Sequence, residues 1–219
     1  MNAQSLQKKR TPRKAGRPSA SGPTADMESQ LMTAALTVFG DKGYDGASLS
    51  QIAEHADADI ALIRYYFGSK QDLWHKALSQ LSEELGREGL RTLADAADQS
   101  ATQQLVAAIS WFLTMSAEKP FVSRIIVSEG NDTGPRGHFI AKEFVGPFYK
   151  IMATLIDGAK QEGTVPNVST RTIFFMITHG GSFPMAMRTL TNAFPGGKIE
   201  SKKALAAHVD AITSLIVRA

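Results

Sequence analysis

The stretch Ser48-Leu49-Ser50-Gln51-Ile52-Ala53-Glu54-His55-Ala56-Asp57-Ala58-Asp59-Ile60-Ala61-Leu62-Ile63-Arg64-Tyr65-Tyr66-Phe67-Gly68-Ser69-Lys70 spells two short helices joined by a tight turn. Ser48 is an N-cap, and Gln51 three residues on completes a capping box. Leu49, Ile52 and Ala53 give this helix a buried face. His55-Ala56-Asp57-Ala58-Asp59 is the break, and Asp59 can cap the next helix, Ile60 to Phe67. Gly68-Ser69 closes that helix, and Ser69 caps a longer one from Lys70. With a helix before them, two helices so joined predict a helix-turn-helix.

The helix from Ile60 to Phe67 has two faces. Leu62, Ile63, Tyr66 and Phe67 suit packing on the preceding helices, whereas Ile60, Ala61, Arg64 and Tyr65 form the other stripe. A recognition helix needs such an outward face. Small or apolar residues near its N-terminus can meet thymine methyl groups, and an arginine can reach a guanine edge or a phosphate. Ser48 and Ser69 stand at helix N-termini, whose free N–H groups favour phosphate, and Lys70 adds a positive charge. Each also has a plain structural reading: the serines as caps, Tyr66 as core, Arg64 as a solvated charge.

Ser48 to Ala56 followed by Ile63-Arg64-Tyr65-Tyr66-Phe67-Gly68-Ser69-Lys70-Gln71-Asp72-Leu73 resembles the DNA-binding domain of the TetR/AcrR family of bacterial regulators. The likeness runs back through Ala34-Ala35 and Phe39 to Gly43-Tyr44 and covers about residues 26–85. It implies a homodimer with a helical ligand-binding domain, usually a repressor that leaves its operator when an inducer binds. It also implies that Ser48, Tyr65, Tyr66 and Lys70 touch DNA phosphates, and that the start of the Ile60 helix reads bases. The chain departs from the pattern at three places. Asp57 stands where glycine is usual, Asp59 where serine or threonine is usual, and Arg64 where an aromatic is frequent. Aspartate tolerates left-handed backbone better than most residues. Asp59 should repel phosphate, although its carboxylate can accept from a cytosine amino group.

Upstream, Met27, Leu31, Ala34, Ala35, Val38 and Phe39 recur at helical spacing from an N-cap at Asp26 until Gly40 and Gly43 stop the helix. Residues 1–25 lack such periodicity and read as a disordered tail. They carry Lys8, Lys9, Arg10, Arg13, Lys14 and Arg17 and no acid through Thr24, so they hold six of the 24 basic residues. The rest is slightly acidic, with 18 basic against 21 acidic residues, and a basic tail on such a body points to a polyanionic partner.

Downstream the spacing predicts helices near 70–92, 102–118, 121–130, 138–162, 169–188 and 202–217, with no strand-like alternation. The fold class is all-α: a disordered tail (1–25), a helix-turn-helix domain (26–85) and a larger helical effector-binding and dimerisation domain (86–219). The absence of cysteine excludes disulfides, thiolate catalysis and cysteine-ligated metal, and fits a reducing cytoplasm. The polar N-terminus has no secretory apolar stretch, and the longest uncharged run, Thr172 to Met187, is too short to span a membrane. No metalloprotease, phosphate-loop or nucleophile-elbow motif is present, so neither an enzyme nor a cofactor is expected.

The body is rich in phenylalanine, methionine and tryptophan at helical spacing, a pattern that most often means core. Given the family resemblance, Phe112, Phe144, Phe148, Met152 and Phe175 are candidates for a cavity wall, and His179 for its polar anchor. Gly180 and Gly181 would let helices approach closely. Leu205, Val209, Ile212, Leu215 and Ile216 offer an apolar face on the last helix, which in this family belongs to the dimer seam. The expected partners are a double-stranded DNA inverted repeat, a second copy of the chain and a small apolar or aromatic effector. The alternatives are an architectural DNA-binding dimer whose body senses nothing and an all-helical enzyme. A void in the body separates the first alternative from a sensor.

Overall fold

The structure, a computed structural model, describes residues 23–218. Most of the expected tail therefore lies outside the described residues. Pro23 to Ala25 do not belong to a tail, since they open α1 (Pro23–Gly46). Asp26 falls in the first turn of α1 and is not its N-cap. Gly40 does not stop the helix either. The break is Gly43, at φ +69° and ψ 170°. Gly40 serves close approach instead: a Cβ there would lie 2.6 Å from the Cβ of Phe121.

The helix-turn-helix forms as the local signals direct. In α2 (Leu49–His55) the Gln51 N–H donates to Ser48 Oγ at 3.2 Å, and the Ser48 N–H donates to Gln51 Oε1 at 3.0 Å. Asp57 takes the left-handed conformation, φ +48°. The Ala61 N–H donates to Asp59 Oδ1 at 2.7 Å to cap α3 (Ile60–Phe67), and the Asp72 N–H donates to Ser69 Oγ at 3.1 Å to cap α4 (Lys70–Asp95). Leu31, Phe39, Ile52, Ile63 and Trp74 close one buried core under these helices.

The body contains α5 (Ala101–Glu118), α6 (Phe121–Glu129), α7 (Pro135–Phe139), α8 (Gly146–Gln161), α9 (Thr170–Phe175), α10 (Gly181–Ala186), α11 (Arg188–Thr191) and α12 (Lys202–Ile216). No strand occurs among the described residues. α5 is central and packs against α4, α8, α10 and α12. The predicted single helices at 138–162 and 169–188 are each interrupted by a π-helical segment, Ile140–Val145 and Met176–Gly180. A proline follows each within four residues. Pro147 has no N–H for the Glu143 carbonyl, nor Pro184 for that of Gly180, and a widened turn gives the ring room. The Glu143 carbonyl instead accepts from Ser82 Oγ at 3.3 Å. The second run ends at Ala186, because Met187 leaves helical geometry.

Of the two glycines in that run, only Gly181 meets a neighbour closely. A Cβ there would lie 2.8 Å from Leu113 Cδ2, whereas Gly180 faces open space. The last helix, α12, buries no residue: Leu205, Val209, Ile212 and Ile216 are half-buried on the core and Leu215 is 79% exposed.

Candidate functional site

Two regions carry chemistry. In the first, α3 presents Ala61, Arg64 and Tyr65 to solvent, with Tyr65 79% exposed and its ring edge-on to Tyr66. Ile60 and Tyr66 are half-buried against the core, so the predicted outward stripe is narrower than its spacing implied. Ser48 is exposed, and its oxygen accepts the capping bond while its O–H remains to donate. Lys70, expected at a DNA phosphate, is also held by the protein itself. Its Nζ donates to the carbonyls of Tyr44 and Ala47, both at 2.9 Å, and sits 4.4 Å from the Tyr44 ring centre. It ties the start of α4 to the turn before α2, with one ammonium hydrogen left over.

The Arg136 guanidinium also lies 4.4 Å from the Tyr44 ring centre. Arg136 Nε donates to Glu129 Oε2 at 2.8 Å, and Glu129 Oε1 accepts the Tyr44 N–H at 2.9 Å. Glu129 is the last residue of α6, and α6 is fastened along α1 at two earlier points. Phe121 lies over Gly40, and Arg124 pairs with Asp41 at 2.6 Å. Spacing these contacts over two helical turns puts them on the side of α6 that faces α1.

The remaining side of α6 belongs to the second region, a cavity of about 270 Å³ in the body. Val122, Ser123, Ile126 and Val127 of α6 line it, with Leu85, Leu90 and Leu93 of α4 and Trp111, Phe112 and Met115 of α5. Gly89 makes room for the indole of Trp111, since a Cβ there would lie 3.2 Å from the ring. Both π segments reach the wall, one through Phe144 and Val145, the other through Thr178 and His179. π turns are rare and favour functional sites. Phe148 stacks on Phe112 at 5.4 Å and meets Trp111 edge-on at 5.9 Å. No lining side chain carries a formal charge, apart from whatever proton His179 holds. His179 stays exposed to solvent, and partial desolvation of its ring in the cavity wall pushes the imidazole below its ordinary pKa, towards the neutral form.

Of the six residues expected at such a wall, Phe112, Phe144, Phe148 and His179 line it. Met152 does not: it is wholly buried in the core. Phe175 does not either, being 46% exposed, with its ring edge-on to those of His179 and Phe174. Trp111 and Phe174 line the cavity and were not singled out for it from the sequence. Among the described residues no acidic or histidine cluster could hold a metal, and no helix is long and apolar enough to cross a membrane.

Residues 31–77 match the family described as bacterial regulatory proteins, tetR family. The chain is 26% identical over 157 residues to the HTH-type nicotine-responsive transcriptional repressor HdnoR of Paenarthrobacter nicotinovorans, covering 70% of this chain and 81% of that protein. Two other curated regulators match over only 49% and 33% of their own lengths. Among solved structures, a HlyIIR mutant superposes with a TM-score of 0.70 at 20% identity, covering 89% of this chain and 99% of that one. The transcriptional regulator FadR from Bacillus subtilis, in complex with stearoyl-CoA, superposes with a TM-score of 0.62 at 20% identity, covering 87% and 97%. At that identity the two structures speak for the fold.

Proposed function

We propose that this chain is a transcriptional repressor of the tetR type, a homodimer that leaves an inverted-repeat operator when a small apolar or aromatic effector fills the body, a reading that rests on the match of residues 31–77 to the tetR family of bacterial regulatory proteins. The observation that carries the DNA reading is the outward face of α3. Ala61, Arg64 and Tyr65 stand clear on a helix fixed by caps at its own start and at the starts of both neighbours. With one reader per chain, a second copy supplies the second half-site. Exposed Phe175, Met176, Phe183, Met187 and Leu215, on the elements from α9 to α12, supply the apolar surface for pairing. Working on DNA, such a regulator acts in the cytoplasm.

The cavity supports a sensor over an architectural dimer, whose body would be filled. Its walls include α4, which starts in the reader, and α6, which is fastened to α1. An effector that moves either helix changes how the two readers fit one operator. A hundredfold loss of operator affinity requires about 2.7 kcal/mol of coupling, and operator DNA must weaken effector binding by the same factor. Selection of binding sites from random DNA followed by footprinting tests the reading. The expected result is a symmetric footprint with half-sites about one helical turn apart or somewhat more. Protection of a lone half-site by a monomer would overturn it.

A further inference from the structure

We propose that the cavity selects an uncharged, ring-sized molecule by its hydroxyl group, which His179 and Ser182 read together. This deepens the reading of the cavity as the effector site and rests on it. The argument is a proton count. Thr178 Oγ1 donates its only hydrogen to the Phe174 carbonyl at 2.8 Å. The contact of 3.1 Å between Thr178 Oγ1 and His179 Nδ1 must then be donated by the ring. In the neutral imidazole this fixes the tautomer with hydrogen on Nδ1, which leaves Nε2 a bare acceptor. No partner for Nε2 occurs among the described residues. Nearby, Ser123 Oγ donates to Ser182 Oγ at 3.0 Å, so this pair of hydroxyls keeps one hydrogen unspent. Ser182 is only 3% exposed, where an idle donor is costly.

His179, in the π segment, and Ser182, in the first turn of α10, both line the cavity. Together they present an acceptor and a donor, and an alcohol or phenol O–H answers both. A carboxylate would bring its lone pairs against that of Nε2 and find no cation in the wall. An ammonium would find no anion. The remaining surface is the rings of Trp111, Phe112, Phe148 and Phe174.

Four probes of one shape separate these features: 2-naphthol, naphthalene, 2-naphthoate and 2-naphthylmethylammonium, titrated into the full chain by calorimetry. Quenching of Trp111 fluorescence provides a second readout. Naphthol is expected to bind about tenfold more tightly than naphthalene, the worth of one such hydrogen-bonded group, and both ions more weakly still. His179→Phe and Ser182→Ala should each remove the preference for naphthol over naphthalene. Circular dichroism checks folding, and Ser182→Ala carries the test if His179→Phe does not fold. Equal binding of naphthol and naphthalene to the unaltered chain overturns the hydroxyl reading. An ion that binds as well as naphthol overturns the uncharged class and leaves the effector cavity standing. If none of the four binds, the effector cavity itself falls, and this proposal with it.

Discussion

Glu129, the last residue of α6, holds the backbone N–H of Tyr44 at 2.9 Å, so the helix that walls the cavity is bonded to the end of α1, just ahead of the helix-turn-helix. The carboxylate is 6% exposed, and its cation is Arg136. Arg136→Ala leaves a buried charge without its partner, which costs about 3 kcal/mol. Glu129→Gln keeps an acceptor for Tyr44 and should cost less. Urea unfolding measures both, and an unmoved midpoint for Arg136→Ala would show that the pair adds nothing.

Arg64 and Lys70 should separate in a DNA-binding assay. Arg64→Ala is expected to cost about 1–3 kcal/mol on the operator and to relax preference at one position. Lys70→Ala should weaken every sequence alike and lower the salt slope by about one unit. It should also destabilise the fold by about 1.5–3 kcal/mol, because the carbonyls of Tyr44 and Ala47 lose a charged donor. A Lys70→Ala protein as stable as the parent would mean that these two bonds are made equally well by water.

Asp57 carries a left-handed backbone in the turn between α2 and α3, at φ +48°. Glycine adopts that conformation without steric cost, so Asp57→Gly should stabilise the reader by up to about 1 kcal/mol. Thermal unfolding tests it, and a lower melting temperature would show that the aspartate side chain contributes more than its backbone strain costs.

His179 gives the cavity a pH dependence. Partial desolvation lowers its pKa in the folded chain, whereas the unfolded chain titrates near 6.5. As pH falls below about 6.5 the unfolded state takes up the proton first. The stabilising increment is therefore complete above that pH and is lost on acidification through the folded value. His179→Phe should remove this increment. Affinity for 2-naphthol should fall on acidification through the folded value, since protonation occupies Nε2. An affinity that does not change while NMR shows the folded chain's ring taking up its proton would place the ring outside the recognition.

The reader was legible in the sequence because its signals are local. Ser48 with Gln51, Asp59 with Ala61 and Ser69 with Asp72 each close within three residues. The bond between Tyr44 and Glu129 spans 85 positions and leaves no trace in any short window. The cavity was half legible. Helical spacing marks Phe174 and Phe175 equally, but the core side of α9 holds Phe174, and the π turn that follows shifts the register of every residue beyond it. Pro147 and Pro184, inside otherwise helical runs, were the available warning of both π turns. Trp111 owes its place to Gly89, a residue that marks a wall by what it lacks.

The last helix, α12, keeps all fifteen of its residues at least partly open to solvent, and His208 reaches across to the Gly181 carbonyl at 2.7 Å to hold it. A lone chain so finished is an incomplete unit, and in the proposed dimer its stability depends on how many copies surround it. Each tenfold dilution removes about 1.4 kcal/mol of association free energy. Repression would then respond to gene dosage more steeply than in simple proportion. Halving the supply of chain lowers occupancy of the operator and also lowers the fraction of chains paired well enough to occupy it.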